Sequence, residues 1–406
     1  MNVVFIEPSF PYNQREFVRA LAAVGANVIG IGERPVENLS DDLKRWLGDY
    51  VQVSSVVHEP SLLQAVKAVQ RSIWVDRLEA TVEAHIMPAA KVREASGIPG
   101  TSAETAYLCR DKPAMKEVLR KAGIPCAMST RASRPGEARE FASRVGYPLI
   151  VKPPAGAGAA GTYRVRDDAD LERVIKESGL DRGAEVAIEE FIEGHEGFLD
   201  TLTINGKVGH EFITHYYPNV LVAMRERWIS PQMVATNRVD APGYDEVKQL
   251  ARKVIKVLNI ETSATHMEWF YGPKGLKFSE IGCRPPGVGQ WDVYNAANEF
   301  DLYFEWAHAL TQGRTHTPPS RRYSAGMIAL RPERDGTISG YSGIAAIDRK
   351  YGECIVAAHL PEPGTPTQPI EGGYMANAWM RVRHPDYDRL REILNEIGET
   401  IRVHAH

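Results

Sequence analysis

Cysteine is scarce in this chain of 406 residues, and no two cysteines form a C-x-x-C pair. Scattered cysteines neither build a disulfide framework nor match a zinc site, so they favour a reducing, cytoplasmic setting. No stretch approaches the ~18 consecutive apolar residues that a membrane span needs. The N-terminus turns acidic at Glu7 and lacks a basic, apolar leader. We therefore expect a cytoplasmic protein with no signal peptide and no membrane partner.

The chain also lacks an excess of either charge. Lys and Arg number 48 against 52 Asp and Glu, which gives a net charge of -4. That balance offers no basic footprint for a nucleic-acid backbone, so we expect no nucleic-acid partner. Apolar residues make up 43% and charged residues 25%, as in ordinary globular proteins. The length allows about two to four domains at roughly 100–200 residues each.

The first hundred residues alternate short β-branched runs with amphipathic stretches. Residues 3–6 and 28–31 read as strands around a helix over 15–24, and this alternation continues along the segment. Strands alternating with helices predict a parallel, doubly wound sheet. Glu79 and Glu83 are four residues apart, and we expect them to lie on one helix and to be solvated.

Beyond Asp111 the pattern becomes mixed, so the fold class is α/β with α+β parts. Helices are predicted at 112–121, 136–145, 168–178, 244–258, 299–311 and 386–398. Strands are predicted at 148–152, 162–165, 185–191, 198–204, 265–270 and 276–281. Trp291, Tyr294 and Trp306 stand at near-helical spacing, which indicates core positions. A Pro-containing linker at 315–320 separates a short β-rich tail.

A glycine-rich loop is the first motif with chemical content. Gly156, Gly158 and Gly161 match G-x-G-x-x-G, a pattern of phosphate-binding loops. A dinucleotide site needs a helix directly after the third glycine, whereas residues 162–165 read as a strand. The loop is thus predicted to join two strands and to fold over phosphates with its backbone N–H groups. Lys152 places a cation beside this loop. The alternative interpretation is a flexible glycine tether with no function.

Two further strand-like runs carry a pair of carboxylates. Glu268 and Glu280 stand on runs joined by the turn at 271–275, so a hairpin would bring them together. His266 shares a face with Glu268, and Arg284 shares one with Glu280 if the strand persists. Two like charges this close need a cation between them, and paired carboxylates suit Mg²⁺ held with nucleotide phosphates. Two solvated glutamates with Arg284 as salt-bridge partner are the alternative.

A third run, residues 186–196, ends an apolar strand in acidic residues. Along the chain, Lys112 is followed by the glycine-rich loop with Lys152, by this acidic run and by the carboxylate pair. With these motifs in this order, the chain resembles the ATP-grasp superfamily. Within it the chain is similar to carboxylate–amine ligases, in particular L-amino-acid (dipeptide) ligases. The resemblance implies an ATP-grasp fold: a Rossmann-like domain at 1–105, a nucleotide-sandwiching region at 106–314 with a lid at 125–190, and a small β-rich α/β domain at 321–406.

The resemblance also implies how the nucleotide would be held. Lys112 and Lys152 would bind the phosphates of ATP, Glu189 and the hinge backbone the adenine, and Glu196 the ribose hydroxyls. The implied nucleotide-binding residues are Lys112, Lys152, Gly156, Gly158, Gly161, Glu189, Glu190, Phe191, Ile192 and Glu196.

Metal binding and catalysis are implied in the same way. Glu268 and Glu280 would ligate Mg²⁺, with Mn²⁺ as an alternative ion. Arg284 and Lys152 would be catalytic, Arg284 by steadying the transferred phosphate. Many members of the family have an Asn as a further metal ligand where this chain has Gly282. Coordination there would be completed by water or substrate, or one metal would be bound more weakly.

The reaction implied is ATP-dependent ligation of a carboxylate to an amine through an acyl-phosphate, with release of ADP and phosphate. The partners would be small-molecule carboxylate and amine substrates and, on base rates, a second copy in a homodimer. His266, Arg225 and Arg227 are candidate substrate contacts. The alternative for His266 is a satisfied strand histidine, and for the two arginines it is a surface salt bridge, which is the more common role. Two alternatives remain: a biotin-carboxylase-like activation of bicarbonate, prompted by Met115-Lys116, and a catalytically silent nucleotide-binding protein.

Overall fold

The computed structural model describes residues 1–154, 161–375 and 377–406. Its first part alternates strands and helices as predicted, and strands β1 to β4 form a parallel sheet in the order β3-β2-β1-β4. The elements are β1 (Asn2–Ile6), α1 (Gln14–Ala23), β2 (Asn27–Gly32), α2 (Asp41–Trp46), β3 (Asp49–Gln52), α3 (Glu59–Gln70), β4 (Arg77–Glu79), α4 (Glu83–Ser96) and α5 (Ala103–Leu108).

The next segment forms a small antiparallel sheet with helices on it. Strands β6 and β7 pair antiparallel, so the glycine-rich loop joins two strands, as predicted. The sheet order is β5-β8-β6-β7. The elements are α6 (Lys112–Lys121), β5 (Ser129–Ala132), α7 (Pro135–Val145), β6 (Leu149–Lys152), β7 (Tyr163–Val165), α8 (Asp168–Glu177) and β8 (Val186–Glu190).

The rest of the chain builds a large sheet of order β13-β12-β9-β10-β11-β14-β17-β16, with β15 and β18 paired separately. Strands β14, β16 and β17, which follow residue 321, therefore extend the sheet that begins with β9. The elements are β9 (His195–Ile204), β10 (Lys207–Tyr217), α9 (Val220–Ala223), β11 (Gln232–Ala235), α10 (Asp245–Val257), β12 (Ser263–Gly272), β13 (Gly275–Gly282), α11 (Gln290–Asn298), α12 (Leu302–Gln312), β14 (Ser324–Leu330), β15 (Ile338–Ser342), α13 (Ile344–Tyr351), β16 (Ile355–His359), β17 (Ala378–His384), α14 (Tyr387–Thr400) and β18 (Arg402–Ala405).

Helices α11 and α12 cover one face of this sheet. Trp291, Tyr294 and Trp306 are buried in the core there, as predicted. The single helix predicted over 299–311 is wrong in its start, because Asp301 caps α12 by accepting hydrogen bonds from the backbone N–H groups of Tyr303 and Phe304. Helix α11 precedes it and was not predicted. No helix among the described residues is long and apolar enough to cross a membrane.

Candidate active site

A pocket opens between the small sheet and the large sheet. It is lined from both sheets and from α9, so the layers of the fold bring together residues far apart in the sequence. Nine of the predicted site residues line it: Lys112, Lys152, Glu189, Glu190, Phe191, Ile192, Glu196, Glu268 and Glu280. Gly156 and Gly158 lie outside the described residues. Gly161 has a φ of 67°, a left-handed backbone that glycine adopts without strain.

The base of the pocket holds a buried cluster of two lysines and one glutamate. The Nζ atoms of Lys116 and Lys152 each lie 2.8 Å from Glu189 Oε2. Burial by itself would raise the pKa of Glu189, but the two ammonium groups lower it to about 2. The Glu189 carboxylate is thus bound to lysines, and among the described residues its other oxygen, Oε1, is buried without a hydrogen-bond partner.

Lys116 is the residue of this cluster that sequence reasoning missed. Its side chain is fully buried, and burial lowers its pKa against the opposing effect of Glu189. The available signal was helical spacing, since Lys116 follows Lys112 by one turn of α6 and shares its face. Its position inside a helix also excludes the exposed hairpin that a biotinylated lysine requires.

Glu268 and Glu280 lie directly opposite each other on the paired strands β12 and β13, as predicted. The cation that such a pair requires is supplied by the protein itself. Lys112 Nζ lies 3.5 Å and Lys152 Nζ 3.8 Å from Glu280 Oε2. Burial would raise the pKa of Glu280, but these lysines hold it below its ordinary value. Burial would lower the pKa of Lys152, but Glu189 and then Glu280 raise it to about 12.

His266 connects Glu268 to a second buried carboxylate. Its Nδ1 lies 2.7 Å from Asp200 Oδ1, and its Nε2 lies 3.6 Å from Glu268 Oε1. Burial would lower the pKa of His266, but the two carboxylates raise it to about 9. Tyr294 donates a hydrogen bond of 2.5 Å to the other oxygen of Asp200. His266 is therefore a cation held beside Glu268, on the face that the strand periodicity predicted.

Glu196 lines the pocket from β9, where it is paired with Phe270 of β12. Its carboxylate accepts a 2.7 Å hydrogen bond from the backbone N–H of Val220, at the start of α9. Burial and the nearby charge of Glu268 raise the pKa of Glu196 to about 8. Glu196 is therefore mostly protonated at neutral pH, and a carboxylic acid can both donate to and accept from hydroxyl groups.

The two candidate arginines after α9 differ in position. Arg225 Nη2 donates a 2.9 Å hydrogen bond to the carbonyl of Thr162, beside the glycine-rich loop. Arg227 Nη2 lies 2.6 Å from Asp335 Oδ2, outside the residues that line the pocket. Neither arginine lines the pocket: Arg225 contacts Thr162, which does line it, while Arg227 forms the surface salt bridge named as its alternative.

The expectation for Glu79 and Glu83 is wrong. Glu79 ends strand β4 and Glu83 begins helix α4, so the two do not share a helix. Glu83 is not a solvated surface residue, because its Oε2 lies 2.6 Å from the Nε of Arg284. Strand β13 ends at Gly282, so Arg284 extends from the loop beyond the strand. The contact between positions 201 residues apart left no local signal in the sequence.

The donor set fits a magnesium ion that arrives with a nucleotide. Among the described residues, no three His, Cys, Asp or Glu side chains form a group suited to a metal ion. Two facing carboxylates, Glu268 and Glu280, are enough for Mg²⁺, which keeps several waters and shares phosphate oxygens. At Gly282 an added Cβ would lie 3.5 Å from Arg284 Cγ and 4.0 Å from Glu83 Oε2. The space beside Gly282 is therefore bordered by the Glu83–Arg284 ion pair.

Comparisons with known proteins agree with this geometry. A model of the ATP-grasp domain family matches residues 117–300. The chain is 29% identical over 220 residues to an L-arginine-specific L-amino acid ligase of Bacillus subtilis, covering 53% of this chain and 52% of that protein. It is 24% identical over 292 residues to the alanine–anticapsin ligase of Bacillus subtilis strain 168, covering 63% and 60%.

The solved structure of an L-amino acid ligase from Bacillus licheniformis superposes with a TM-score of 0.78 at 16% identity, over 100% of this chain and 98% of that one. The matches to the two curated ligases span between half and two thirds of those proteins. The family model thus shows an ATP-grasp domain over residues 117–300, and the whole chain is similar in fold to a solved L-amino acid ligase.

Proposed function

We propose that this protein joins a carboxylate to an amine at the expense of ATP. The carboxylate oxygen attacks the γ-phosphorus of ATP, the bond to the β,γ-bridging oxygen breaks, and ADP leaves. The amine then attacks the acyl carbon of the acyl-phosphate, which releases phosphate and one proton and leaves an amide. The ligases among the relatives support this reaction class, and the two substrates of this chain are left unnamed.

The observation that carries the proposal is the alternation of charge along the pocket. Lys116, Lys152 and Lys112 stand beside Glu189 and Glu280, and all five side chains are largely buried. Phosphoryl transfer requires positioned cations more than it requires a protein nucleophile. Lys112 and Lys152 are paired with carboxylates, and both line the pocket. Their ammonium groups would bind the phosphates of ATP there.

The other end of the pocket suits a nucleoside. Phe191 is stacked by Arg164, whose Cζ lies 4.2 Å from the ring centroid, and both line the pocket. We assign the adenine to the backbone of Phe191 and Ile192 and to Glu189 Oε1, the oxygen left without a partner. Glu196, as a carboxylic acid, would take the ribose hydroxyls.

Glu268 and Glu280 would hold Mg²⁺, which supplies charge neutralisation on the transferring phosphoryl group. His266 keeps a positive charge beside Glu268. We assign His266 and Arg225 to the side from which the carboxylate substrate enters, and Arg227 to the surface.

The direct test is product analysis. The protein is incubated with ATP, Mg²⁺ and an amino-acid mixture, and ADP, AMP, phosphate and pyrophosphate are quantified. The proposal predicts ADP and phosphate in equal amounts, together with a new amide. AMP and pyrophosphate would contradict it.

Two controls address the alternatives. Bicarbonate with free biotin, in place of amino acids, tests the biotin-carboxylase reading, which predicts bicarbonate-dependent ADP formation. Binding of ADP·Mg²⁺ by calorimetry, without turnover on any substrate, would identify a silent nucleotide-binding protein. Light scattering after gel filtration tests the predicted homodimer.

A further inference from the structure

The front part of the chain contributes Glu83 to an ion pair with Arg284, the arginine expected to steady the transferred phosphate. Glu83 is the first residue of α4, directly after the carboxyl end of the parallel sheet, and its Oε2 accepts a 2.6 Å hydrogen bond from Arg284 Nε. Its Oε1 lies 3.1 Å from Arg110 Nε. The three side chains are 15–25% exposed, so this ion-pair cluster is partly shielded from water.

The bonds made by Arg284 occupy two of its three guanidinium nitrogens. Its Nε donates to Glu83, and its Nη1 donates a 2.7 Å hydrogen bond to the carbonyl of Pro285. Within the described part of the chain, no residue accepts a hydrogen bond from Nη2. A guanidinium that is fixed through Nε and Nη1 has its Nη2 left to donate to an anion.

The Glu83–Arg284 ion pair borders Gly282. A Cβ atom at residue 282 would lie 4.0 Å from Glu83 Oε2 and 3.9 Å from Arg284 Nε, which are ordinary van der Waals distances. The carboxylate also stands in the first turn of a 14-residue helix, where the helix dipole favours negative charge.

We propose that Glu83 is a positioning residue that fixes Arg284 for the phosphate transferred in the reaction, a role that rests on the proposed function. Glu83 itself touches neither nucleotide nor substrate. Its carboxylate holds the guanidinium in one orientation, and its second oxygen is paired with Arg110. The front domain thereby sets the geometry of a group that belongs to the ATP-grasp region.

The test is a double-mutant cycle with a matched control. Glu83→Gln should lower kcat about tenfold and Glu83→Ala about 100-fold, because a misplacement of about 1 Å can cost that much. The KM for ATP should change by less than about threefold, since the lysines and the hinge are untouched. Glu59→Gln, which removes an exposed ion pair with Lys91 in the same domain, should leave both constants unchanged.

The cycle separates positioning from direct contact. Arg284→Ala alone should lower kcat by about 10² to 10³. Adding Glu83→Ala to it should cost no more than about twofold, because the group that Glu83 acts on is gone. Additive losses, or normal turnover by Glu83→Ala, would overturn the proposal.

A second readout does not depend on turnover. In a crystal structure of Glu83→Gln with ADP, the Arg284 guanidinium should move by about 1 Å or more or occupy several conformers. The side chains of Lys152, Glu268 and Glu280 should stay in place. An unmoved Arg284 would refute the positioning role, whereas a wild-type protein without ligase activity would refute only the proposed function.

Discussion

Glu268 and Glu280 face each other across the β12–β13 pair, and the cations nearest to Glu280 are the lysines that would bind ATP phosphates. Glu280→Gln removes one full charge from this arrangement. We expect turnover to fall by at least about two orders of magnitude, the loss typical of one strong transition-state interaction. The ligand-free melting temperature should fall slightly, because the positive charges of Lys112 and Lys152 lose the Glu280 carboxylate that partly neutralises them. Steady-state kinetics and thermal unfolding measure both.

The exposed Glu177→Gln, which breaks a surface pair with Arg173, is the matched control and should change neither quantity. Stabilisation of Glu280→Gln by ATP and Mg²⁺ should also shrink, because ligand binding to the native state is what raises the melting temperature. Near-normal turnover would show that the carboxylate pair has no part in catalysis.

Lys116 should matter for stability as well as for nucleotide binding. Lys116→Met leaves Glu189, which is 4% exposed, with one lysine in place of two. Breaking a buried charge cluster typically costs about 3–5 kcal/mol of unfolding free energy. Lys121→Met removes an exposed lysine of the same helix and should cost less than about 0.5 kcal/mol. Urea unfolding measures the loss of unfolding free energy in each variant. Equal losses in the two variants would show that Lys116 is not part of a stabilising buried charge cluster.

Glu196 should make stability depend on pH in an unusual direction. Its pKa is raised to about 8 in the folded protein, above the ordinary value, so the folded state keeps a proton that the unfolded state releases. This group therefore lowers stability as pH rises from about 4.5 to 8. Glu196→Gln mimics the protonated acid and should exceed the wild type by about 2 kcal/mol or more at pH 9. Denaturant unfolding of both proteins at pH 5, 7 and 9 measures the gap, and a constant gap would contradict the raised pKa.

His215 should act in the opposite direction. It is buried between His195 and Tyr244, with ring-nitrogen contacts of 2.8 Å to each. Burial, with the charges of His195 and Arg391, lowers the pKa of His215 to about 3. Because only the unfolded state binds this proton between pH 6.5 and 3, stability should fall as pH falls through that window.

The His215→Gln variant should lose about 1 kcal/mol at pH 7 through its weaker hydrogen bonds, yet show a flatter stability profile below pH 6.5. Unfolding free energies from pH 7.5 to 4.5 provide the comparison. An unchanged slope in the variant would assign the pH dependence to other groups.

The site residues that could be placed from the sequence are those that belong to a local pattern. Strand alternation in β12 and β13 placed Glu268, Glu280 and His266 on the correct faces, since side chains repeat every two residues. Lys152 stood at a strand end before a loop, which the β6–β7 pairing confirms. The roles of these residues toward ATP and Mg²⁺ stay predictions.

The parts that it missed depend on contacts between distant segments. Lys116 meets Glu189, which is 73 positions away, and Glu83 meets Arg284 across a domain. Whether a charged side chain is solvated or paired depends on what the fold brings to it, and periodicity carries no information about that partner. The start of α12 was misplaced for a smaller reason, because the capping effect of Asp301 was not weighed.

Transfer of an oxygen atom from the carboxylate substrate to phosphate tests the central claim most directly. The amino-acid mixture is labelled with ¹⁸O in its carboxylates, the protein is supplied with ATP and Mg²⁺, and the phosphate released is analysed by mass spectrometry. An acyl-phosphate intermediate predicts one ¹⁸O atom in each phosphate formed, with ADP as the other product. Unlabelled phosphate, or label found in AMP, would contradict the account.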